Sequence, residues 1–228
     1  MRPRYNAETT AEEVAASWTA RIANKTVLVT GVTAGGLGAE FAIVVARHKP
    51  RLIILASRSK AKADHTARDI AAVAPDVQTR FLELDLSSQV QIRKAAAQVN
   101  AYREGIDVLV NNAGILSAPY RQTEDGVESL FGICHIGHFL FTNLIVPKLN
   151  PNSRVVSVAS DGYMLSPVRF EDWHFDVSSP PCLSIERRSN VILISRVIFR
   201  TARTLTHGLR TARLKLPTFC SRSLWRRS

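Results

Sequence analysis

The stretch Lys25–Glu40, KTVLVTGVTAGGLGAE, decides the fold class of this 228-residue chain. A short apolar run, Val27–Val29, stops at Thr30-Gly31 and is followed by a loop rich in glycine and then by a helix-like pattern over 39–46. A strand, a glycine turn and a helix in this order direct free backbone N–H groups and a helix N-terminus at one point, which is a geometry that binds phosphate. A simple tight turn is the alternative interpretation of the glycines.

The alternation of apolar runs and helical patterns continues beyond this stretch. Further strands are predicted at Arg51–Ala56, Val77–Asp85, Ile106–Asn111 and Arg154–Ala159. The other predicted helices cover 11–22, 60–73, 87–103 and 124–149. Strands and helices that alternate in units of about 30 residues are typical of a parallel sheet with helices on both faces. We therefore predict an α/β fold with a doubly wound, Rossmann-like parallel sheet, incomplete at its C-terminal end.

The positive charge of the chain is concentrated near its C-terminal end. The sequence holds 30 Lys and Arg residues against 19 Asp and Glu, a net charge of +11. Residues 177–228 contain 11 of the basic residues and one acidic residue, so residues 1–176 carry a net charge of only +1. An Arg-rich segment without interleaved aromatic residues is weak support for nucleic-acid binding, which we do not expect.

The cysteines and the N-terminal residues indicate where the protein is expected to reside. The three cysteines, Cys134, Cys182 and Cys220, are far apart and form no CxxC pair, which favours a reducing compartment and argues against a cysteine-based zinc site. Residues 1–13 are polar, and no apolar run approaches the roughly 18 residues that a membrane span needs. We expect a cytoplasmic protein without a membrane span.

Five short motifs occur in an order that resembles a known family. They are Thr30-Gly31 with Gly36-Leu37-Gly38, Asp85-Leu86, Asn111-Asn112-Ala113-Gly114, Gly137-His138-Phe139 and Val158-Ala159-Ser160-Asp161-Gly162. Together they resemble the short-chain dehydrogenase/reductases, and within them the retinol-dehydrogenase-like branch common in fungal genomes. The resemblance covers residues 25 to about 176. It implies a nicotinamide dinucleotide cofactor and a reaction that interconverts a carbonyl and an alcohol.

The resemblance assigns the pyrophosphate of the cofactor to the glycine loop. The residues expected to bind it are Gly31, Gly36, Leu37 and Gly38, where glycine allows positive φ and close approach of the backbone. From Gly31 to Gly36 the spacing is one residue longer than the usual TGxxxGxG pattern. We therefore expect the turn to bulge.

The residues after the second predicted strand bear on the choice between NAD and NADP. NAD-dependent folds place an acid there to bind the ribose hydroxyls. Here Arg58 occupies that position, with Lys60 and Lys62 close by and no carboxylate between them. A guanidinium suits a 2′-phosphate, so NADP is the predicted cofactor. A solvated arginine at a strand end is the alternative.

Two further positions are expected to contact the cofactor by resemblance. Asp85, with the Leu86 backbone beside it, matches the residue that binds the adenine amino group, although it could serve as a cap for the next helix. Asn112 and Gly114 match the turn that lets the nicotinamide side approach, although asparagine is also an ordinary turn residue. His135 and His138 have a metal-like spacing, but without a third ligand we predict no metal site.

The predicted catalytic apparatus is incomplete. Ser160 matches the family's catalytic serine, whose hydroxyl would hold the substrate carbonyl oxygen. The family's Tyr-x-x-x-Lys pair is missing, since no tyrosine follows Tyr163 and the residue four positions after it is Pro167. Cys134 stands where the family has an asparagine. The resemblance thus implies an oxidoreductase whose activity is impaired.

Three hypotheses follow from this combination. The chain is an NADP-dependent oxidoreductase of a small lipophilic or polyketide-like carbonyl or alcohol, or a catalytically inactive nucleotide-binding remnant with an interaction role, or a product whose tail arises from altered splicing or reading frame. We divide it into an N-terminal helical lead-in (1–24), a dinucleotide-binding domain (25–176) and an atypical basic tail (177–228). A homodimer is left open.

Overall fold

The fold is that of a computed structural model, which describes residues 5, 6, 8–115 and 120–158 together with the backbone of residues 200 and 201. The strands are β1 (Thr26–Thr30), β2 (Leu52–Ser57), β3 (Gln78–Glu83), β4 (Ile106–Asn111), β5 (Leu149–Ser157) and β6 (Arg200–Thr201). The helices are α1 (Ala11–Ser17), α2 (Thr19–Ile22), α3 (Leu37–Ala46), α4 (Lys60–Val73), α5 (Gln89–Asn100), α6 (Ser129–Phe131) and α7 (Gly137–Leu144). A π-helical turn, Gly132–Ile136, joins α6 to α7, and a 3₁₀ turn, Val146–Lys148, precedes β5.

The strands form one sheet in the order β3-β2-β1-β4-β5-β6. The first five in this order pair in parallel, and β6 pairs antiparallel with β5 through residues 200 and 201. Helices connect the parallel strands, so the predicted doubly wound, Rossmann-like α/β fold is confirmed. The two residues of β6 lie in the segment that was assigned to the basic tail.

The apolar runs are buried because helices cover both faces of the sheet. On one face, Leu28 and Ile54 belong to a core that includes Ile92 of α5 and Phe141 of α7. On the other face, neighbouring strand residues such as Val29 pack in a second core with α3 and α4. Because successive strand side chains point to opposite faces, each run serves both cores.

Two predicted helix starts depend on polar side chains. Thr10 and Glu13 form a capping box at the start of α1, with the Thr10 hydroxyl accepting from the Glu13 N–H at 3.2 Å and a Glu13 oxygen accepting from the Thr10 N–H at 2.9 Å. Ser88 is at the N-cap of α5, but its side chain makes no capping bond. The Gln89 N–H instead donates to the Asp125 carboxylate at 2.9 Å, which joins α5 to the segment before α6.

The prediction of one long helix over 124–149 is wrong. The helix begins only at Ser129, because Glu128 accepts from the N–H groups of Leu130 and Phe131 and so acts as its cap. It includes the π-helical turn and ends at Leu144. Pro147, which lacks an N–H, cannot continue an α-helix there. The last residue of the predicted helix, Leu149, is the first residue of β5.

The lengths of the helices bear on membrane insertion. Within the described ranges, none is both long enough and apolar enough to cross a bilayer.

Candidate functional site

The glycine loop lies at the point where the strand order reverses. The chain builds β2 and β3 on one side of β1 and then returns to place β4 and β5 on the other side. In open parallel sheets, ligands bind in the crevice at the carboxyl ends of the strands at such a point. Here the loop after β1 (residues 31–36) and the turn after β4 (residues 112–115) meet at that edge, and we refer to the two together as the cradle.

Two glycines, one in the cradle and one in the first turn of α3, permit this contact. Gly31 has φ +75°, and a Cβ there would lie 2.6 Å from the Cα of Ala113. A Cβ on Gly38 would overlap the side-chain amide of Asn112 and lie 2.6 Å from the carbonyl oxygen of Gly31. Any larger residue at either position would separate the loop from the turn.

The Asn112 side chain binds the loop directly. Its Nδ2 donates to the carbonyl oxygens of Thr30 and Gly31, at 2.9 and 3.1 Å. The turn after β4, which is predicted to lie at the nicotinamide side of the site, is therefore hydrogen-bonded through Asn112 to the glycine loop that is predicted to bind pyrophosphate.

Thr30 is the second link between loop and turn. Its Oγ1 accepts from the N–H groups of Asn112 and Ala113, both at 2.9 Å. The same oxygen lies 3.0 Å from Nε2 of His138 and 3.4 Å from the Val110 carbonyl oxygen. Sequence reasoning placed His138 in one of the family motifs and weighed it as a metal ligand, but missed this contact, which joins positions 108 residues apart.

The added residue in the glycine loop is accommodated by a β-turn. The Gly36 N–H donates to the Thr33 carbonyl oxygen at 2.9 Å, and Gly35 at the third position of this turn has φ +75°. Gly36 is the N-cap of α3, and the N–H groups of Leu37 and Gly38 have no hydrogen-bond partner within the described residues. These free donors at the N-terminus of α3 are a site that favours an anion.

The three basic residues after β2 are not equivalent. Arg58 is exposed and makes no hydrogen bond or ion pair with the rest of the described chain. Lys60 instead forms an ion pair with Asp64, one turn along α4, with an N···O distance of 2.7 Å. Lys62 is exposed on the first turn of the same helix. The predicted 2′-phosphate site thus has Arg58 and Lys62 as its free cations.

Asp85 turns the chain from β3 toward α5. Its Oδ1 accepts from the N–H and the hydroxyl of Ser87, at 2.8 and 2.6 Å. This local role is close to the capping alternative and leaves Oδ2 without a described partner. Leu86 is buried, and a Cβ on Gly137 would lie 2.6 Å from its carbonyl oxygen, so α7 packs directly on this loop.

Cys134 lies in the π-helical turn, opposite the turn after β4. A Cβ on Gly114 would be 3.6 Å from its Sγ, an ordinary contact, and the thiol lies 3.8 Å from the Ile115 carbonyl oxygen. Burial raises the pKa of the Cys134 thiol. The side chain in the position of the family's asparagine is therefore a neutral thiol.

The remaining predicted residues have different outcomes. Ser160 and Tyr163 lie outside the described residues, which end at Val158 before β6. His138 uses both ring nitrogens within the protein, since Nδ1 lies 3.2 Å from the Cys134 carbonyl oxygen. No cluster of three or more metal-binding side chains occurs in the parts of the chain that are described.

A cavity of about 780 Å³ adjoins the cradle on the α3 side of the sheet. Gly38, Asn112 and Val158 line one part of it, and Trp18 and Lys25 line another. Arg58 and Asp85 are not among its lining residues. The cavity therefore reaches the loop–turn contact but does not mark the adenine end of the predicted site.

A family model described as short chain dehydrogenase matches residues 25–168. The chain belongs to the short chain dehydrogenase family. The matched range includes the cradle, both core clusters and Ser160, the serine that is predicted to be catalytic.

Curated relatives confirm the retinol-dehydrogenase-like branch of the short chain dehydrogenases. Oxidoreductase fscI of Fusarium equiseti is 34% identical over 182 residues, which are 77% of this chain and 70% of that protein. Retinol dehydrogenase 13 of Homo sapiens is 39% identical over 155 residues, 67% of this chain and 46% of that protein. The chain spans about half the length of the retinol dehydrogenases that it matches.

Solved structures bear out the short chain dehydrogenase fold. An uncharacterized protein from Mycobacterium Paratuberculosis superposes with a TM-score of 0.58 at 38% identity, covering 68% of this chain and 53% of that one. Levodione reductase superposes with a TM-score of 0.53 at 23% identity, covering 62% and 56% respectively, a likeness that concerns the fold alone.

Proposed function

We propose that this short chain dehydrogenase is an NADP-dependent oxidoreductase that interconverts a carbonyl and an alcohol on a small lipophilic or polyketide-like substrate, with impaired turnover. The observation that carries the proposal is the cradle at the strand-order reversal. There Gly38 and Asn112 bring the glycine loop and the turn after β4 into contact beside the free N–H groups of α3. A dinucleotide would lie across these elements, with its pyrophosphate on the N-terminus of α3.

The preference for NADP is supported by charge after β2. Arg58 is exposed, and no carboxylate lies between residues 57 and 63 to bind ribose hydroxyls or to repel a phosphate. Asp64, the nearest acid in sequence, is paired with Lys60. A guanidinium can bind a phosphate through two parallel N–H groups, so we assign the 2′-phosphate to Arg58.

The expected chemistry depends on Ser160, on the missing Tyr-x-x-x-Lys pair and on the thiol of Cys134. The nicotinamide supplies the hydride chemistry when bound. Ser160 would hold the carbonyl oxygen as negative charge develops there. The sequence contains no Tyr-x-x-x-Lys pair, and Cys134 carries a thiol whose pKa is raised by burial. General acid–base groups contribute about 10²–10⁴-fold, so we expect slow turnover.

The substrate class rests on the relatives alone. One relative is named a retinol dehydrogenase and the other an oxidoreductase. Their similarity over the cofactor-binding part of the chain supports the reaction type. The choice of a small lipophilic substrate for this chain is part of our proposal.

The proposal is tested in two steps with the full chain. Titration with NADPH and with NADH, followed by nicotinamide fluorescence, should give tighter binding of NADPH. NADPH oxidation is then measured with a panel of aldehydes and ketones for the unaltered chain and for Ser160→Ala. Slow turnover that is lost in the variant is the expected result. Cofactor binding without turnover in either protein would favour the inactive nucleotide-binding remnant, and absence of cofactor binding would refute the proposal.

A further inference from the structure

The hydroxyl of Thr30 has four hydrogen-bonding neighbours, although its oxygen has only two lone pairs. A threonine hydroxyl can accept two hydrogen bonds and donate one. Its two acceptor positions are taken by the N–H groups of Asn112 and Ala113, both at 2.9 Å. The remaining neighbours are Nε2 of His138 at 3.0 Å and the Val110 carbonyl oxygen at 3.4 Å. Nε2 is the nearer, so the hydroxyl proton points to His138 and Nε2 accepts it.

The other side of the imidazole gives the same protonation state. Nδ1 of His138 lies 3.2 Å from the Cys134 carbonyl oxygen, which can only accept. Nδ1 must therefore carry the proton. Burial lowers the pKa of His138 to about 4, which keeps the ring neutral. Both ends of the ring thus agree on the neutral tautomer that is protonated on Nδ1.

The helix that carries His138 is held at a fixed distance from the sheet. A Cβ at Gly137 would lie 2.6 Å from the Leu86 carbonyl oxygen, so the absence of a side chain lets α7 approach the loop after β3. His138 itself is only 6% exposed. The ring is therefore confined between the π-helical turn and the end of β1.

We infer that His138 is a positioning residue for the dinucleotide cradle. By accepting the Thr30 proton, it leaves both lone pairs of that oxygen to the N–H groups of Asn112 and Ala113 and so holds the turn after β4 against the glycine loop. This inference rests on the proposed cofactor site. It assigns to the histidine an effect on the nicotinamide side of the cofactor, whereas Arg58 acts on the adenosine side.

Two substitutions separate the two hydrogen bonds of the ring. In His138→Gln, an amide oxygen can take the place of Nε2 and accept from Thr30. In His138→Asn, the shorter amide reaches only the place of Nδ1, near Cys134. His135→Leu in the adjoining π-helical turn is the control, because His135 is half-buried and its side chain makes no hydrogen bond within the described residues.

Binding of NADPH and of 2′,5′-ADP, which lacks the nicotinamide half, is measured by calorimetry for each protein. We expect His138→Asn to weaken NADPH by about tenfold, the equivalent of one buried hydrogen bond, and 2′,5′-ADP by less than about twofold. His138→Gln and His135→Leu should stay within about twofold for both ligands. Equal weakening of both ligands in His138→Asn, or no weakening of either, would overturn the inference.

A second measurement does not depend on the variants folding. Nitrogen chemical shifts of the His138 ring in the unaltered chain should show a protonated Nδ1 and a bare Nε2, and the opposite tautomer would overturn the inference. If the unaltered chain binds neither ligand, the proposed function and the inference fall together. If it binds NADPH and His138→Asn binds equally well, only the inference fails.

Discussion

Gly38 and Asn112 lie so close together that no β-carbon fits between them. The position that a Cβ on Gly38 would occupy overlaps Nδ2 of Asn112 and is 2.6 Å from the Gly31 carbonyl oxygen. The same Nδ2 donates to the Thr30 and Gly31 carbonyl oxygens. The Nδ2 atom of Asn112 is thus the point at which the turn after β4 contacts both the start of α3 and the glycine loop.

Gly38→Ala should therefore lower the free energy of unfolding by about 1–3 kcal/mol, the usual range for an overpacked site. It should also weaken cofactor binding, because Asn112 must move off the glycine loop. The control for the loss of stability is Gly114→Ala, where the new Cβ would have an ordinary contact of 3.6 Å with Cys134. Urea unfolding measures both variants, and equal stability of the two would contradict the prediction.

Arg58→Ala should weaken NADPH by about 10–100-fold and leave NADH nearly unchanged. The expected loss is that of charge-assisted hydrogen bonds to the 2′-phosphate, which only NADPH carries. Arg47→Ala is a matched control, since Arg47 is an exposed arginine at the opposite end of α3 from the free N–H groups. Calorimetric titration of both cofactors is the measurement, and an equal loss for NADPH and NADH would argue against a phosphate contact.

Cys134 should react slowly with thiol reagents in the folded chain. Because burial raises the pKa of its thiol, the thiolate that attacks the reagent is scarce at neutral pH. The rate is measured with a disulfide reagent in a Cys182→Ser, Cys220→Ser background, at pH 7.5, with and without urea. We expect unfolding to raise the rate by at least about tenfold on these grounds. A folded rate equal to the unfolded one would mean an exposed, activated thiol.

The burial of His138 should make the fold less stable in mild acid. The pKa of this group is about 4 in the folded chain and about 6.5 in an unfolded one, so between these values the unfolded state binds more protons. Its contribution is fully present above pH 6.5 and is lost as the pH falls toward 4, by up to about 3 kcal/mol.

The measurement for His138 is urea unfolding between pH 7.5 and pH 4.5. His138→Gln, which does not titrate, should show a shallower decline in stability over this interval. If the two proteins lose stability in parallel, the histidine is not buried in its neutral form.

The basic tail predicted at 177–228 should be cut by trypsin before residues 25–158. The prediction rests on its 11 basic residues and single acid, which give trypsin many sites and the tail a strong self-repulsion. Two of its residues, those of β6, nevertheless pair with β5. Mass spectrometry of a brief digest locates the first cuts, and protection of the whole tail would favour a single folded unit.

The sequence predicted the sheet well because strand signals are local. β1 and β2 are apolar runs that are buried almost throughout, β4 is largely apolar, and glycines mark the loop after β1. The long helix over 124–149 was mispredicted because its apolar residues conceal a start at the Glu128 cap and a π-helical turn. Neither the cap nor the π-helical turn changes the periodic pattern of apolar residues from which helices are predicted.

Contacts across long distances in sequence were beyond prediction for a different reason. Thr30 and His138 lie 108 positions apart, and Asp125 caps a helix that begins 36 residues earlier. Nothing near Gln89 indicates that its N–H will find Asp125. Such pairs depend on how the elements pack, so sequence patterns located the motifs but not the hydrogen bonds that connect them.

The Lys60–Asp64 ion pair controls how much positive charge is free beside the proposed 2′-phosphate site. Both side chains are largely exposed, at 69% and 48%, so the pair contributes little to stability and either partner can change without harm to the core. Loss of the Asp64 carboxylate in Asp64→Asn would release Lys60 to act with Arg58 and Lys62. A single substitution on the surface of α4 would thus raise the positive charge beside the proposed 2′-phosphate site without touching the glycine loop.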